Sequence, residues 1–261
     1  MDPTSSDAAL VDGPSPRCDP DAEFETYELV PGDGLNDPEQ PVVRLSLSED
    51  ELVAYVDVDL DAGEVVMRAS VRDSILDDFP TPVEAAELDD IYEGPGRETN
   101  GWTTSNGLAL YFQRNGAPFV STRLATGQAF DEGNPVTVGG SALSSFVQLS
   151  ADGQTIYWRH TDNRLWSAEL VTGLTGFGQG VDTSVDVEMI GRVSADELTL
   201  YYVLSGAMRR AIRSKTGFPF QGGVVITGFP AAVGPLFVTV DHCLLYYRGA
   251  DERLYVARRG S

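Results

Sequence analysis

Apolar residues along this chain gather into strand-length runs, among them Val42-Val43, residues 198–203 and Leu244-Leu245-Tyr246-Tyr247. Glycine or proline interrupts nearly every longer window, and no extended stretch keeps the period of an amphipathic helix. The polar punctuation between the runs recurs. Five times a turn sequence leads into a strand that carries a tyrosine. The copies are Ser48-Glu49-Asp50-Glu51-Leu52 before Tyr55, Ser105-Asn106-Gly107-Leu108 before Tyr111, and Ser150-Ala151-Asp152-Gly153 before Tyr157. Ser194-Ala195-Asp196-Glu197-Leu198 before Tyr201 and Val240-Asp241-His242 before Tyr246 complete the set.

The tyrosines lie 56, 46, 44 and 45 residues apart. A period of that size, filled with short strands, is the pattern of a β-propeller blade. The copies continue with an apolar residue and an Ala-x-Arg-like step, at Met67…Arg72, Phe119…Thr122, Leu165…Ala168, Met208…Arg213 and Leu254…Arg259, and then a phenylalanine: Phe79, Phe130, Phe177 and Phe220. The fifth copy reaches Ser261 before its phenylalanine, and residues 24–30 carry the same character as residues 220–228. The expectation is an all-β, five-bladed propeller over residues 24–259, closed by an N-terminal strand that completes the C-terminal blade. Such closure removes two open sheet edges. Residues 1–23, rich in Asp, Ser and Pro, read as a disordered acidic tether.

The turns and tyrosines have a physical logic. Ser-x-Asp-Gly is a turn sequence whose side-chain oxygens cap backbone N–H groups. The tyrosine then fills the space between adjacent blades. The elements at residues 150–157, 194–201 and 254–258 resemble the WD40-like repeat of TolB-type propellers. The resemblance extends to extracytoplasmic propeller proteins, many of them lipoproteins, of myxobacteria and related bacteria, through the opening at residues 24–36 and 47–52. It implies an extracytoplasmic location (periplasmic, cell-surface or secreted) and says little about chemistry; the expected role is a non-catalytic recognition or scaffold module, a binding module. Six blades are the alternative it raises. Against the pattern, Asn106 stands where Asp is usual, blade five lacks the Ser and Gly of its turn, and residues 89–101 are inserted between the first two blades.

Charge narrows the partners. With 40 acidic and 18 basic residues the formal charge is −22, and Lys215 is the only lysine. Such a field repels nucleic acid, whose binding depends on neutralising phosphates. No segment of 18 apolar residues is present to span a membrane. The expected partner is a protein, peptide or glycan at the funnel or rim of a monomer, and no residue pattern calls for a cofactor.

Candidate chemistry is sparse. His160 and His242 are the only histidines, and no Gly-x-Ser-x-Gly elbow accompanies them. Asp57, Asp59 and Asp61 imitate a calcium loop, but Arg68 stands where an EF-hand needs glutamate. The competing reading is a strand with an acidic outer face. A glycan-cleaving enzyme would need two channel carboxylates; the aspartates of the turns instead occupy one repeated structural position. The informative column lies just ahead of the turn and holds Ser46, Trp102, Gln148, Arg192 and Phe237. It diverges while its neighbours repeat, as a ligand-reading surface would, and Trp102, Gln148 and Arg192 are the candidate ligand residues. Neutral variation in strand packing is the alternative. Cys18 and Cys243 fall on the same rim of the last blade and are positioned for a disulfide; the other reading makes Cys243 a buried thiol and Cys18 a free one.

Overall fold

The computed structural model describes residues 18–19, 22–60, 64–92, 98–143, 147–150, 152–194, 196–227, 229 and 232–260. Five sheets stand around a central axis. Strand β1 (Phe24–Leu29) comes first in the chain but belongs to the last sheet. Blade one is β2 (Val42–Leu47), β3 (Val53–Leu60) and β4 (Glu64–Val71), with its fourth position reduced to a single bridge between Ala69 and Val83. A short 3-10 turn (Ala86–Leu88) and a helix (Asp89–Tyr92) follow. Blade two is β5 (Glu98–Thr103), β6 (Ala109–Arg114), β7 (Ala117–Thr122) and β8 (Asn134–Pro135).

Strands β9 (Thr137–Val138) and β10 (Ser141–Ala142) then extend the third sheet. Its main strands are β11 (Val147–Leu149), β12 (Thr155–Arg159) and β13 (Arg164–Thr172). The outer edge of blade three is divided between β14 (Gly176–Phe177) and β15 (Val181–Asp186), both paired with β13. Blade four is β16 (Met189–Val193), β17 (Thr199–Leu204), β18 (Ala207–Ile212) and β19 (Gln221–Val225). Blade five is β20 (Ala232–Val238), β21 (Leu244–Gly249) and β22 (Leu254–Arg259). β1 completes it by antiparallel pairing with β22, from Phe24 opposite Arg259 to Leu29 opposite Tyr255. The ring therefore has five blades, not six, and closes with strands from both ends of the chain.

The repeated turn is built alike in all five blades. A hydroxyl at Ser48, Thr104, Ser150, Ser194 or Thr239 donates to the carboxylate or amide oxygen two residues on, at 2.5–2.8 Å. The same hydroxyl accepts the N–H five residues later. Blade five thus keeps the device through Thr239, and in blade two the capping hydroxyl is Thr104 rather than Ser105. The residue after the aspartate or asparagine has φ between 59° and 71°: Glu51, Gly107, Gly153, Glu197 and His242. Only glycine takes that region without cost, so the two glutamates and the histidine must be held there by contacts.

Those contacts are between blades. Tyr55, Tyr111, Tyr157, Tyr201 and Tyr246 are all buried. In the next blade an arginine lies over the buried phenylalanine and reaches back. Arg123 sits 4.3 Å from the Phe130 centroid and, through Glu87, meets Tyr55. Arg213 lies 4.6 Å over Phe220, donates to the Tyr157 hydroxyl at 2.8 Å and pairs with Glu197, which also accepts from Tyr157. Arg259 lies 4.4 Å over Phe24 and donates to the Tyr201 hydroxyl at 2.8 Å, beside His242. Arg72 lies 4.2 Å over Phe79 and bonds to the Glu51 carbonyl. Blade three has Leu170 at this place, and Tyr111 instead donates to the Leu174 carbonyl.

Cys18 and Cys243 form a disulfide across 225 residues, with a Cα–Cα distance of 5.6 Å. Cys18 is buried, and Asp19 N–H bonds to the Gly260 carbonyl, so the segment before β1 is fastened to blade five. The remainder of the proposed tether, residues 1–17 and 20–21, lies outside the described residues.

A bridge closing so long a loop constrains the unfolded chain strongly. Replacing both cysteines (Cys18→Ser with Cys243→Ser) is expected to lower unfolding free energy by about 3–5 kcal/mol. Chemical denaturation checks this; equal midpoints for the variant and the oxidised parent would refute it.

Candidate functional site

The divergent column is placed by strand register. Ser46, Trp102, Gln148, Arg192 and Phe237 lie opposite Tyr55, Tyr111, Tyr157, Tyr201 and Tyr246 respectively, each on the innermost strand of its blade. Directly opposed residues of an antiparallel pair share a face, so the column runs inward from the interblade tyrosines toward the axis. In β5, β16 and β20 the register shifts just before the column residue. Such irregularities re-aim side chains. Gly101 allows β5 to approach blade one, since a Cβ there would lie 2.4 Å from Met67 Sδ.

All five column residues are buried. The Arg192 guanidinium lies 4.5 Å from the Trp102 ring centroid and 4.2 Å from that of Phe237. The two rings are 6.0 Å apart. These residues come from blades two, four and five. Contact between blade two and the non-adjacent blades four and five is made only across the axis. Two of the three candidate ligand residues, Trp102 and Arg192, therefore touch. Gln148 uses Oε1 to accept the Val193 N–H at 3.3 Å and so joins blades three and four. Phe237, which the sequence places in the column but not among the ligand candidates, is part of the same cluster.

Hydrogen bonding around this cluster is incomplete. Ser46 Oγ, Trp102 Nε1, Gln148 Nε2 and Arg192 Nη1 are buried with no hydrogen-bond partner. Arg72, Arg114, Arg123 and Arg213 each have a carboxylate within ion-pair distance. Among the described residues no salt bridge includes Arg192. Burial pulls its pKa down to about 9, opposed only by the field of Glu49.

The acidic candidates fall elsewhere. Asp57 and Asp59 lie in β3, and Asp61 lies outside the described residues. Asp57 is not on an acidic outer face: it is buried, pairs with Arg44 at 3.0 Å, and accepts the Asn100 N–H of blade two at 2.7 and 2.9 Å. The strand reading mislaid it because both faces of a propeller strand pack against neighbouring blades. Burial pushes Asp57 up to about 6, against the lowering effect of Arg44. Glu98 is also raised by burial and pairs with Arg114 at 2.7 Å. Among the described residues no group of three His, Cys, Asp or Glu side chains is gathered for a metal ion. His160 Nδ1 stands 3.2 Å from Asp162 on an exposed hairpin, and His242 serves the turn beside Tyr201.

A cleft of about 780 Å³ opens between blades three and four. Tyr157, Glu197 and Arg213 form part of its lining, with Leu170, Val181 and Phe218. It lies where the outer edge of blade three is divided, and nothing in the repeat pattern announces that division.

No protein-family model matches the chain, and no curated protein matches it. Among solved structures, the catalytic domain of a GH62 α-L-arabinofuranosidase from Coprinopsis cinerea is 10% identical, with a TM-score of 0.58, covering 91% of this chain and 97% of that one. A putative 6-phosphogluconolactonase from Bacteroides uniformis is 11% identical, with a TM-score of 0.48 and coverage of 83% and 80%. A functionally unknown protein from Desulfotomaculum acetoxidans is 11% identical, with a TM-score of 0.46 and coverage of 84% and 76%. At 10% identity the likeness to the arabinofuranosidase domain is one of fold.

Asp57 yields a pH test. Its folded pKa lies above its ordinary value of 3.8, so its stabilising contribution is full below about pH 4 and is lost as pH rises through about 6. Asp57→Asn removes that titration. Between pH 4 and 7 the variant is expected to gain about 2 kcal/mol relative to the parent. Urea denaturation at both pH values measures it, and parallel stability curves would count against a raised pKa.

Proposed function

We propose that this protein is a non-catalytic extracytoplasmic recognition propeller that takes its ligand at the axis, through Trp102, Gln148 and Arg192. One observation carries the reading: the residues that break the repeat are those that converge on the axis, where they leave buried hydrogen-bonding groups without partners. A fold repeated five times needs no such departure for its own stability. The Cys18–Cys243 disulfide supports an oxidising compartment. The TolB-type resemblance of the turns agrees with that location.

The second reading is a glycan-cleaving enzyme using channel carboxylates. It is favoured by the raised pKa values of Asp57 and Glu98 and by the fold shared with the GH62 arabinofuranosidase. Against it, the axial column contains no carboxylate, and both of these acids are already engaged by arginine. A general acid and its partner need room for substrate between them.

Two measurements separate the readings. Incubation with arabinoxylan and with aryl α-L-arabinofuranosides is expected to release no sugar; turnover abolished by Asp57→Asn would establish the enzyme instead. The three tryptophans give three indole N–H resonances. The resonance lost in Trp102→Phe is expected to move saturably with a hit from a glycan and peptide array, while those of Trp158 and Trp166 stay fixed. Hits that move only the latter would place binding away from the axis.

A further inference from the structure

We propose that the axial cluster of Arg192, Gln148, Trp102 and Ser46 receives the carboxylate group of a small organic acid. This rests on the axial reading above and adds the ligand's chemistry.

The first argument is an inventory of unpaired atoms. Trp102 Nε1 and Arg192 Nη1 carry hydrogens and have no lone pair to offer. Gln148 has one end of each kind, and its acceptor end is committed to the Val193 N–H. That bond fixes the amide orientation and leaves Nε2 as the free end, again a donor. Ser46 Oγ can donate as well. The unpaired groups from four blades therefore ask for an acceptor, and a partner rich in donors would leave them as they are.

Charge is the second argument. A buried cation without a counter-charge is costly, whereas a paired and hydrogen-bonded one is not. The chain carries 40 acidic residues, yet among the described residues none forms a salt bridge with Arg192. Its neighbours are the faces of Trp102 and Phe237, which hold the guanidinium from the side and leave its edge for hydrogen bonds. That edge matches a carboxylate, which accepts two parallel N–H bonds.

The geometry also selects against other ligands. The ring surfaces that a neutral sugar would stack on face the guanidinium, and a neutral ligand leaves the charge uncompensated. A phosphate or sulfate dianion brings two charges to a single buried cation, inside a protein of net charge −22. One carboxylate balances one guanidinium. Its lowered pKa agrees, because a bound anion restores what burial removes from the charged form.

The experiment titrates the folded protein with acetate and D-glucuronate, and in parallel with acetamide, glucose, sulfate and phosphate, while following the Trp102 indole N–H resonance. Acetate and glucuronate are expected to shift it saturably, and the neutral isosteres are not. Gln148→Leu is expected to weaken glucuronate binding by about 10-fold, and Arg192→Met by about 10- to 100-fold. Without ligand, Arg192→Met is expected to unfold at or above the parent's temperature, because it removes an unpaired buried charge. A lowered unfolding temperature, or a variant that does not fold, would make Arg192 a structural residue and overturn the proposal. A Trp102 response to glucose but not to carboxylates would overturn the carboxylate and keep the axial site. A response only to phosphate or sulfate would overturn it too. No response to any probe or array hit would remove both.

Discussion

Everything in this molecule depends on contact between neighbouring blades. A sheet of three or four short strands buries neither face alone, so each blade is stable only between two others. The buried residues fall into layers that lie between blades rather than inside them: Tyr55 with Phe112 and Phe130, Tyr157 with Leu200 and Phe220, Tyr201 with Leu245 and Phe24. Where an arginine lies over the phenylalanine it completes the layer: Arg213 and Arg259 donate directly to the tyrosine of the preceding blade, and Arg123 reaches Tyr55 through Glu87. A ring held this way has no natural end, which is why β1 must pair with β22 and why the disulfide sits at that seam.

The same logic explains backbone strain. Glu51, Glu197 and His242 occupy the left-handed turn position that Gly107 and Gly153 take freely. Glu197 recovers the cost by joining Tyr157 to Arg213, and His242 by meeting Tyr201. In blade two, where the turn has glycine, Glu87 from the 3-10 turn after blade one supplies the missing carboxylate. At the third blade the arginine is replaced by Leu170, and the next junction outward contains the open cleft. Variation in the latch and variation in the surface thus occur in the same part of the ring.

At the axis the balance reverses. Arg72, Arg114, Arg123 and Arg213 each meet a carboxylate, whereas Arg192 carries a charge into the centre of the ring and meets aromatic faces, with no salt bridge among the described residues. Unpaired buried groups of this kind are disfavoured in a purely structural core, and local departures from self-consistency are where function tends to lie.

Most of the architecture was legible from residue pattern. The tyrosine period gave the number of blades, the turn residues gave the strand entrances, and the likeness of residues 24–30 to residues 220–228 pointed to the closing strand. These features are local or repeated, so each copy corroborates the others. Thr104 and Thr239 were misread because threonine and serine supply the same hydroxyl, and Asp57 because alternation along a strand says nothing of what packs on its second face. The column could be named from the sequence as the place where the repeat breaks, but not what it builds. That Arg192 reaches Trp102 and Phe237, that Gln148 spends its oxygen on Val193, and that blade three divides at its edge were decided only by the closed ring. These contacts join residues from blades that lie far apart in sequence, and a repeat fixes each blade without fixing what five different side chains do when they meet.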